Sequence, residues 1–354
     1  MFLKQVLLAV VLSSLMGCST SIMKYEKSDQ LGKNDEFQKA VIIVKADEKT
    51  PDVTPTPTPT PTATPAAGAA KKGNKKKKRS RYDSLLVKKD ETAPATPAAP
   101  VVTQRQPDIE DDAGFIGRRP INDPYHVGEE ITYDVHYFKV SAGELKLKVD
   151  PFSVVNGLKA YTFITEIRTK GVFSNFYSVE DRVETLVDYA TLVPSVYELH
   201  VKETNQLREA KALFDNKKNI ATFWEKKVTT KSGEEQKKEQ WEILPYSQNV
   251  FSAVFYMRAF QWEEGKQYAF RVANDNENLV FTGKAVRREI LDTELGPMKA
   301  VVIEPKITLK GAFKPIGDIY VWLSDDEHKY ILRIECKIKI GTLVAEVIKI
   351  QPGK

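Results

Sequence analysis

The sequence predicts an all-β protein, a curled antiparallel sheet or barrel with one short helix, placed after a disordered N-terminal tether. Three observations support this prediction. Apolar and polar residues alternate through most of residues 114–354, and a period of two is typical of strands with one buried face. Turn-forming residues separate the alternating runs. Residues 18–113 are instead rich in Pro, Thr, Ala and Lys, a composition that does not form a packed core.

The first 17 residues have the organisation of a bacterial lipoprotein signal peptide. Lys4 precedes an apolar run that ends in Leu15-Met16-Gly17-Cys18, as expected for a positive region, an apolar region and small residues at a cleavage site. The apolar run is shorter than the roughly 20 residues that a membrane-spanning helix needs. We therefore expect residues 1–17 to be removed and the thiol of Cys18 to carry a diacylglyceryl group.

The residue after the lipidation site indicates the membrane. Two or three acyl chains give stable anchoring, so the lipidated protein is expected to stay on its membrane. Ser19 follows Cys18, whereas an Asp there would resemble an inner-membrane retention signal. The sequence therefore favours the outer membrane of a bacterial cell envelope.

The tether is predicted to span residues 18–113. Thr and Pro alternate over residues 54–65, which favours an extended polyproline-like chain. Two short apolar segments, residues 41–44 and 84–87, interrupt this composition. Each is interpreted either as a solvated linker element or as a docking peptide that adds an edge strand to a partner.

A block of eight cations lies within residues 71–81 of the tether. It consists of Lys71, Lys72, Lys75, Lys76, Lys77, Lys78, Arg79 and Arg81. Such a block repels itself and stays unfolded. After a lipoprotein signal, the accessible polyanions are lipopolysaccharide phosphates, anionic lipid headgroups or cell-wall polymers, and no nucleic-acid partner is expected. The block is interpreted as a nonspecific anionic-surface binding segment or as a solubilising spacer.

Alternation and turn residues predict the strands in order. Ile131, Tyr133 and Val135 begin a hairpin whose turn is predicted at residues 141–143. Further alternating runs occupy residues 160–168, 196–203, 210–215, 268–273, 300–304, 318–323 and 330–340. Turns are predicted at residues 156–157, 215–216, 231–233, 274–276 and 324–326.

One segment follows a helical period instead. Val250, Phe251, Val254, Phe255 and Met257 recur at steps of three and four residues, which predicts a short amphipathic helix. A brief helical turn is also predicted over residues 172–177. We expect the helix to pack across an open side or end of a sheet that is curled or closed so that its edges are hidden.

Several short motifs, in this order, resemble an exported bacterial family. They are Gly128-Glu129, Tyr133, Ala142-Gly143, Phe176-Tyr177, Asp181, Phe214-Asp215, residues 252–258, Leu295-Gly296, residues 321–326 and Gly341. The family is known as domain of unknown function 3108, and the resemblance covers about residues 125–350. Asn249 stands where the family tends to have Asp. The resemblance implies a β-rich envelope domain with no assigned reaction, so it supplies no catalytic residue.

The sequence offers little for metal, cofactor or nucleophile chemistry. The four histidines, His126, His136, His200 and His328, are isolated in the sequence and lack metal-ligand spacing. Cys336 lies on the same face of a predicted strand as neighbouring isoleucines, which predicts a buried core thiol. It has no cysteine to pair with, since Cys18 is expected to be acylated. We therefore expect no metal site, no cofactor and no disulfide.

Two acidic groups could be read as the paired carboxylates of a glycoside hydrolase. Glu180 and Asp181 are adjacent, however, and adjacent residues of a strand point to opposite faces, so ion pairing with Arg182 or capping is favoured. Residues 324–327 lie where a turn uses Asx side chains to bond backbone amides. Residues 274–278 are weakly similar to a calcium loop but lack its glycine and glutamate, which favours a hairpin turn.

Three functions are considered. The favoured one is a lipid-anchored, noncatalytic envelope module that binds another envelope protein or an anionic polymer. The alternative is a carrier of an apolar or lipid ligand inside the sheet, and an enzyme is the least favoured. Inward aromatic residues support the carrier: Tyr133, Phe163, Phe176, Phe223, Trp224, Trp241, Phe255, Trp262 and Trp322. Aromatic residues in strands more often form an ordinary core, and a filled interior would favour the module.

Overall fold

A computed structural model describes residues 34–45, 119–309, 312–313, 319–338 and 341–354. These residues are mostly strand, which confirms the all-β class. The helices are α1 (Asp35–Ala40) and α2 (Val250–Tyr256), with 3₁₀ turns at Gly171–Asn175 and Met257–Ala259. The strands are β1 (Ile43–Lys45), β2 (Glu130–Tyr137), β3 (Val140–Val155), β4 (Leu158–Thr169), β5 (Val179–Asp188), β6 (Pro194–Glu203), β7 (Gln206–Asp215), β8 (Ile220–Thr229), β9 (Gly233–Glu242), β10 (Gln267–Asn274), β11 (Glu277–Thr293), β12 (Gly296–Leu309), β13 (Ala312–Phe313), β14 (Ile319–Ser324), β15 (Ile331–Ile338) and β16 (Gly341–Gln351).

The strands form one antiparallel sheet in the order β10-β11-β12-β14-β15-β16-β2-β3-β4-β5-β6-β7-β8-β9. Two meanders meet where the last strand, β16, pairs with β2. β1 pairs with β3 and β13 pairs with β12, both outside this order. No ladder joins the end strands β9 and β10 in the described part of the chain, so the sheet is curled and not closed into a barrel.

Side chains bring the two ends of the sheet together without a ladder. The Asn278 side-chain amide donates to the carbonyl of Glu242 at 2.9 Å, and its oxygen accepts from the amide of Leu244 at 3.2 Å. The ammonium of Lys237 on β9 lies 3.6 Å from the carboxylate of Asp275. These contacts hold the curl of the sheet where backbone pairing is missing.

Helix α2 begins with a capping box. The side chain of Asn249 accepts from the amides of Phe251 and Ser252, and the Ser252 hydroxyl accepts from the amide of Asn249. The neutral Asn249 therefore caps the helix as the sequence predicts. The helix contacts β4, β5 and β10, which confirms that it packs across the open side of the sheet. Its Phe255 is 1% exposed and stacks on Phe163 with ring centroids 4.2 Å apart.

The inner face of the sheet, which α2 covers, holds the main apolar core. Tyr133, Phe163, Phe255 and Trp262 belong to this core, as does the buried Cys336. The predicted core thiol is therefore confirmed. A smaller cluster around Tyr197, Phe214 and Phe223 continues the packing over β6–β8, with Trp241 partly buried beside it.

Two of the predicted inward aromatic residues lie elsewhere. Phe176 is 72% exposed because it follows the 3₁₀ turn and precedes β5. Trp224 is buried, but on the opposite face of the sheet from its neighbour Phe223, as alternation along β8 requires. The prediction of an inward orientation is wrong for both.

Residues 34–45 fall within the predicted disordered tether, yet they form α1 and β1. Phe37 and Val41 are buried on the outer face of the sheet against Trp224 and the residues around it. β1 pairs with the end of β3. The apolar segment at residues 41–44 is thus a docked strand, as in one of the two interpretations, although its partner is the chain's own sheet.

The turn between β2 and β3 differs from the prediction. It lies at Phe138 and Lys139, with φ values of 50° and 62°, a conformation that bulky residues rarely adopt. Gly143 lies within β3, because a Cβ atom there would come within 2.6 Å of the carbonyl oxygen of Arg168. The predicted helical turn near residue 172 is present as Gly171–Asn175, and the turn predicted at residues 274–276 joins β10 to β11.

Candidate functional site

A buried ion pair lies at one end of the inner core. Arg258 in the 3₁₀ turn after α2 and Glu129 just before β2 are each 1% exposed. Nη1 and Nη2 of Arg258 lie 2.6 and 3.0 Å from the two carboxylate oxygens of Glu129. Burial by itself would lower the pKa of Arg258, but Glu129 outweighs burial and the pKa is raised. The guanidinium therefore stays charged.

Backbone carbonyls accept the other hydrogen bonds of this guanidinium. Nη2 of Arg258 donates to the carbonyl of Pro124 at 2.6 Å and to that of His328 at 2.9 Å, and Nε donates to His328 at 3.2 Å. The rings of Tyr125 and Tyr330 lie 5.3 and 5.5 Å from its central carbon, within cation–π range. Arg258 therefore joins the segment before β2, the end of α2 and the loop between β14 and β15.

That loop is organised by Asp326. One oxygen of its carboxylate accepts from the Ser324 hydroxyl at 2.7 Å and from the amides of His328 and Lys329 at 3.0 Å. The Ser324 hydroxyl accepts in turn from the amide of Tyr330 at 2.8 Å. The acidic residues here serve the turn, as the sequence predicts. Both Ser324 and Asp326 are committed to holding the loop's shape.

A cleft of about 340 Å³ lies beside this loop. Its walls include Asn122, Gln261, Trp262, Arg288, Asp325, Asp326, Glu327 and Lys329. Arg288 donates to the carbonyl of Trp262 at 2.7 Å and to the carboxylate of Asp325 at 3.1 Å. Burial lowers the pKa of Lys329. The cleft thus offers both signs of charge and amide groups, which suits a polar ligand with donors and acceptors.

The fold brings together two histidines that are far apart in the sequence. The rings of His126 and His328 meet edge to face with centroids 5.0 Å apart, and His328 stacks on Tyr330. Nδ1 of each histidine and the hydroxyl of Tyr330 are buried without a hydrogen-bond partner among the residues described. His136 instead lies 3.1 Å from Asp134, and His200 contacts Glu209.

No group of three or more His, Cys, Asp or Glu side chains that could hold a metal ion occurs within the described ranges. The His126–His328 pair has no carboxylate or thiol completing such a group there. The 274–278 segment, which is weakly similar to a calcium loop, forms the β10–β11 hairpin turn with φ values of 50° and 58° at Asp275 and Asn276.

The carboxylates at 180 and 181 point to opposite faces of β5. The side chain of Glu180 is 56% exposed, whereas Asp181 is 7% exposed. The predicted ion pair with Arg182 is wrong, since Arg182 pairs with Glu166 and Glu184. Alternation along β5 places Arg182 on the opposite face of the sheet from Asp181.

Asp181 has a different acidic neighbour, Glu203 on β6. Burial, followed by repulsion from Glu203, raises the pKa of Asp181 to about 8. Glu203 accepts from the Tyr177 hydroxyl and from the Gln206 side chain, both at 2.5 Å. The β5–β6 register, which pairs Val179 with Glu203, creates this neighbourhood. The sequence analysis did not pair these residues, although a hairpin register through residues 179–203 would place them together.

The lipidation residue Cys18 and the eight cations of residues 71–81 lie outside the described residues, as do the Thr-Pro run and the apolar segment at 84–87. Their predicted roles stay predictions. Within the described residues, no helix combines the length and the apolar character needed to cross a membrane.

Comparison with known proteins gives a family and several solved folds. A family model described as "Protein of unknown function (DUF3108)" matches residues 132–348. No curated protein matches the sequence. A β-barrel-like protein of domain of unknown function DUF1849 from Brucella abortus is 11% identical, with a TM-score of 0.41, and the match covers 65% of this chain and 99% of that one.

Two further solved structures are similar over comparable lengths. A candidate exported protein with a YmcC-like fold from Bacteroides fragilis is 8% identical, with a TM-score of 0.29, and 64% of this chain and 97% of that chain are covered. A candidate lipoprotein from Parabacteroides distasonis is 9% identical, with a TM-score of 0.30, and the coverage is 66% of this chain and 100% of that chain.

Proposed function

The chain belongs to the DUF3108 family of proteins of unknown function, and we propose that it is a lipid-anchored envelope protein whose β domain is a noncatalytic binding or structural module. Acylation of Cys18 attaches it to a membrane, and Ser19 directs it to the outer membrane. The eight cations of residues 71–81 add contacts with anionic envelope polymers or lipid headgroups. The signal sequence and the composition of the tether support these assignments.

The observation that carries the module assignment is the packing of α2. A carrier of an apolar ligand requires a cavity between the curled sheet and the helix. That space holds Phe255, stacked on Phe163 at 4.2 Å, and the ring of Tyr256, whose centroid lies 5.0 Å from that of Phe270. With the inner face filled, the module binds its partner through outer surfaces, and the polar cleft beside the β14–β15 loop is the best-formed of these.

The chemistry of the cleft defines the partner. Arg288 and Lys329 supply cationic donors, whereas Asp325 and Glu327 supply acceptors. A ligand with alternating donors and acceptors, such as a loop of another envelope protein or a cell-wall polymer, matches this lining better than an acyl chain does. Arg258 and Ser324 do not take part directly, because their polar atoms hold the loop in place.

Truncation of Phe255 tests the module against the carrier. In a filled core, Phe255→Ala should lower the free energy of unfolding by about 3–5 kcal/mol, measured by thermal or urea unfolding. The parent protein should bind no apolar fluorescent probe. Probe binding by the parent, lost in Phe255→Ala with little change in stability, would instead establish the carrier. Phe251→Ala is the matched control, because Phe251 on the same helix is only partly buried.

Replacing the lipidation residue tests the anchor. Cys18→Ser should move the protein from the membrane fraction to the soluble fraction at high salt, because the remaining electrostatic attraction of the cations is screened. The measurement is immunoblotting of fractions after a high-salt wash. Retention of Cys18→Ser on the membrane under that wash would refute the lipoprotein assignment.

A further inference from the structure

Residues 34–45 are held on the outer face of the β domain, far in sequence from the strands they touch. Phe37 and Val41 are 3% and 5% exposed. The ring of Phe37 meets that of Trp224 edge to face at 5.8 Å, and the ammonium of Lys211 lies 4.9 Å from the centre of the Phe37 ring. Both apolar side chains of this segment are therefore anchored in the cluster on the outer face.

Backbone pairing extends this contact. Ile43 is opposite Val155 in the β1–β3 ladder. The amide of Asn156 donates to the carbonyl of Ile42, and the Asn156 side chain accepts from the amide of Ile42, both at 2.9 Å. The same asparagine that forms the β3–β4 turn thus also binds the segment.

Charged groups at both ends complete the attachment. Glu36 accepts from the indole of Trp224 at 3.0 Å and pairs with Lys238. At the other end, the ammonium of Lys45 lies 2.6 Å from the carboxylate of Glu184, whose side chain is 5% exposed. A nearly buried carboxylate is costly without cations beside it, so Lys45 contributes to the outer face of the sheet.

We propose that residues 34–45 are a clip that fixes the length of the membrane leash, an inference that rests on the proposed lipid anchor at Cys18. With the clip docked, only the 16 residues Ser19 to Asn34 separate the lipid from the domain. A fully extended chain of that length spans at most about 55 Å. With the clip undocked, the 101 residues from Ser19 to Arg119 could span about 350 Å.

The clip also changes what the rest of the N-terminal region does. Residues 46–118 begin and end at the same domain, so they are a closed loop beside the leash instead of a spacer between membrane and domain. The cations of residues 71–81 lie within that loop, where a short leash keeps them within reach of the anionic surface. The entropy cost of closing a loop grows only slowly with its length, so a clip of 12 residues can hold a loop this long.

Amide hydrogen exchange on the full chain tests the docking. Peptides covering residues 34–45 should exchange at least ten-fold more slowly in the parent protein than in Val41→Asp, which places a carboxylate in the apolar cluster. Val44→Asp makes the same change at a position that is 57% exposed and should leave exchange slow. Equal exchange in Val41→Asp and the parent would overturn the clip, as would fast exchange in the parent.

Energy transfer on vesicles tests the leash. A donor dye on Lys217→Cys, an exposed turn position, would be read against acceptor-labelled lipids in anionic vesicles at high salt, with the acylated protein inserted. Transfer should be efficient in the parent and in Val44→Asp, and should fall at least two-fold in Val41→Asp. Equal transfer in all three would overturn the leash. A protein that does not float with the vesicles would indicate failure of the lipid anchor alone, because the exchange measurement needs no membrane.

Discussion

The half of the sheet from β10 through β16 to β4 differs from the half formed by β5–β9 in what covers it. The first half curls around α2 and buries large aromatic side chains with the Arg258–Glu129 pair. The second half has a smaller cluster on its inner face, and α1 covers part of its outer face. Its end strand, β9, exposes almost every side chain. The comparison teaches that a single sheet can be stabilised by a buried helix at one end and by a clipped peripheral segment at the other.

The charged groups follow the same division. In the first half, the main ion pair is fully buried and bound to three segments of chain. In the second half, Glu180 and Lys202 lie 3.8 Å apart with both side chains substantially exposed. Buried pairs are costly to break because one charge is left without compensation, whereas exposed pairs are screened by water and salt. Substitutions in the two halves should therefore differ in size.

The largest effect is expected at Arg258. Arg258→Met leaves the carboxylate of Glu129 buried without its partner, and the free energy of unfolding should fall by about 3–5 kcal/mol, measured by urea unfolding. Adding Glu129→Leu should recover much of the loss, because the double variant buries no unpaired charge. A loss below about 1 kcal/mol in Arg258→Met would mean that the first half does not depend on this pair.

An intermediate effect, dependent on pH, is expected at Asp181. Its pKa is raised to about 8 in the folded state, so between about pH 4 and pH 8 the folded state holds a proton that the unfolded chain has released. The free energy of unfolding therefore falls as pH rises through this range. Asp181→Asn removes the titration and should be more stable than the parent at pH 8.5 by on the order of a few kcal/mol.

The check is thermal unfolding of the parent and Asp181→Asn at pH 5 and pH 8.5. The two proteins should be close in stability at pH 5 and should separate at pH 8.5. A parent protein whose stability does not decline between these values, relative to Asp181→Asn, would show that the Asp181–Glu203 pair is not protonated in the folded state.

The smallest effect is expected from Glu180→Gln, next to Asp181 but on the exposed face. The substitution removes ion pairs with Lys202 at 3.8 Å and with Arg168 at 3.7 Å. Exposed pairs contribute about 0–1 kcal/mol, so stability should change by less than about 1 kcal/mol and its pH dependence should match that of the parent. A larger change would erase the proposed contrast between the two halves.

The sequence predicted the elements whose patterns are local. Alternation located β4 and β6, and three- and four-residue spacing located α2, because these periods reflect which face of an element is buried. β9 was not predicted, since its sequence has almost no apolar residues and its partners on β8 decide its conformation. The turn at Phe138 and Lys139 was missed because neither residue type favours a positive φ.

The candidate site depends on contacts between distant residues, which periodicity does not report. Glu129 and Arg258 are 129 positions apart, and His126 meets His328 only because β16 pairs with β2. Helix α1 was missed for a related reason. Six residues form too short a helix to be stable alone, and the apolar cluster around Trp224 supplies the stability that the local sequence lacks.

The pairing of β16 with β2 has a consequence for how the domain is made. Partners such as Tyr137 and Leu343 are more than 200 residues apart in the sequence, and contacts of such long range slow folding because a large loop must close before they form. One edge of β2 stays open until the last strand has left the ribosome. An open edge is a template for pairing with other chains, so a growing chain that must leave the cytoplasm is best kept unfolded until residues 341–351 are available to complete the sheet.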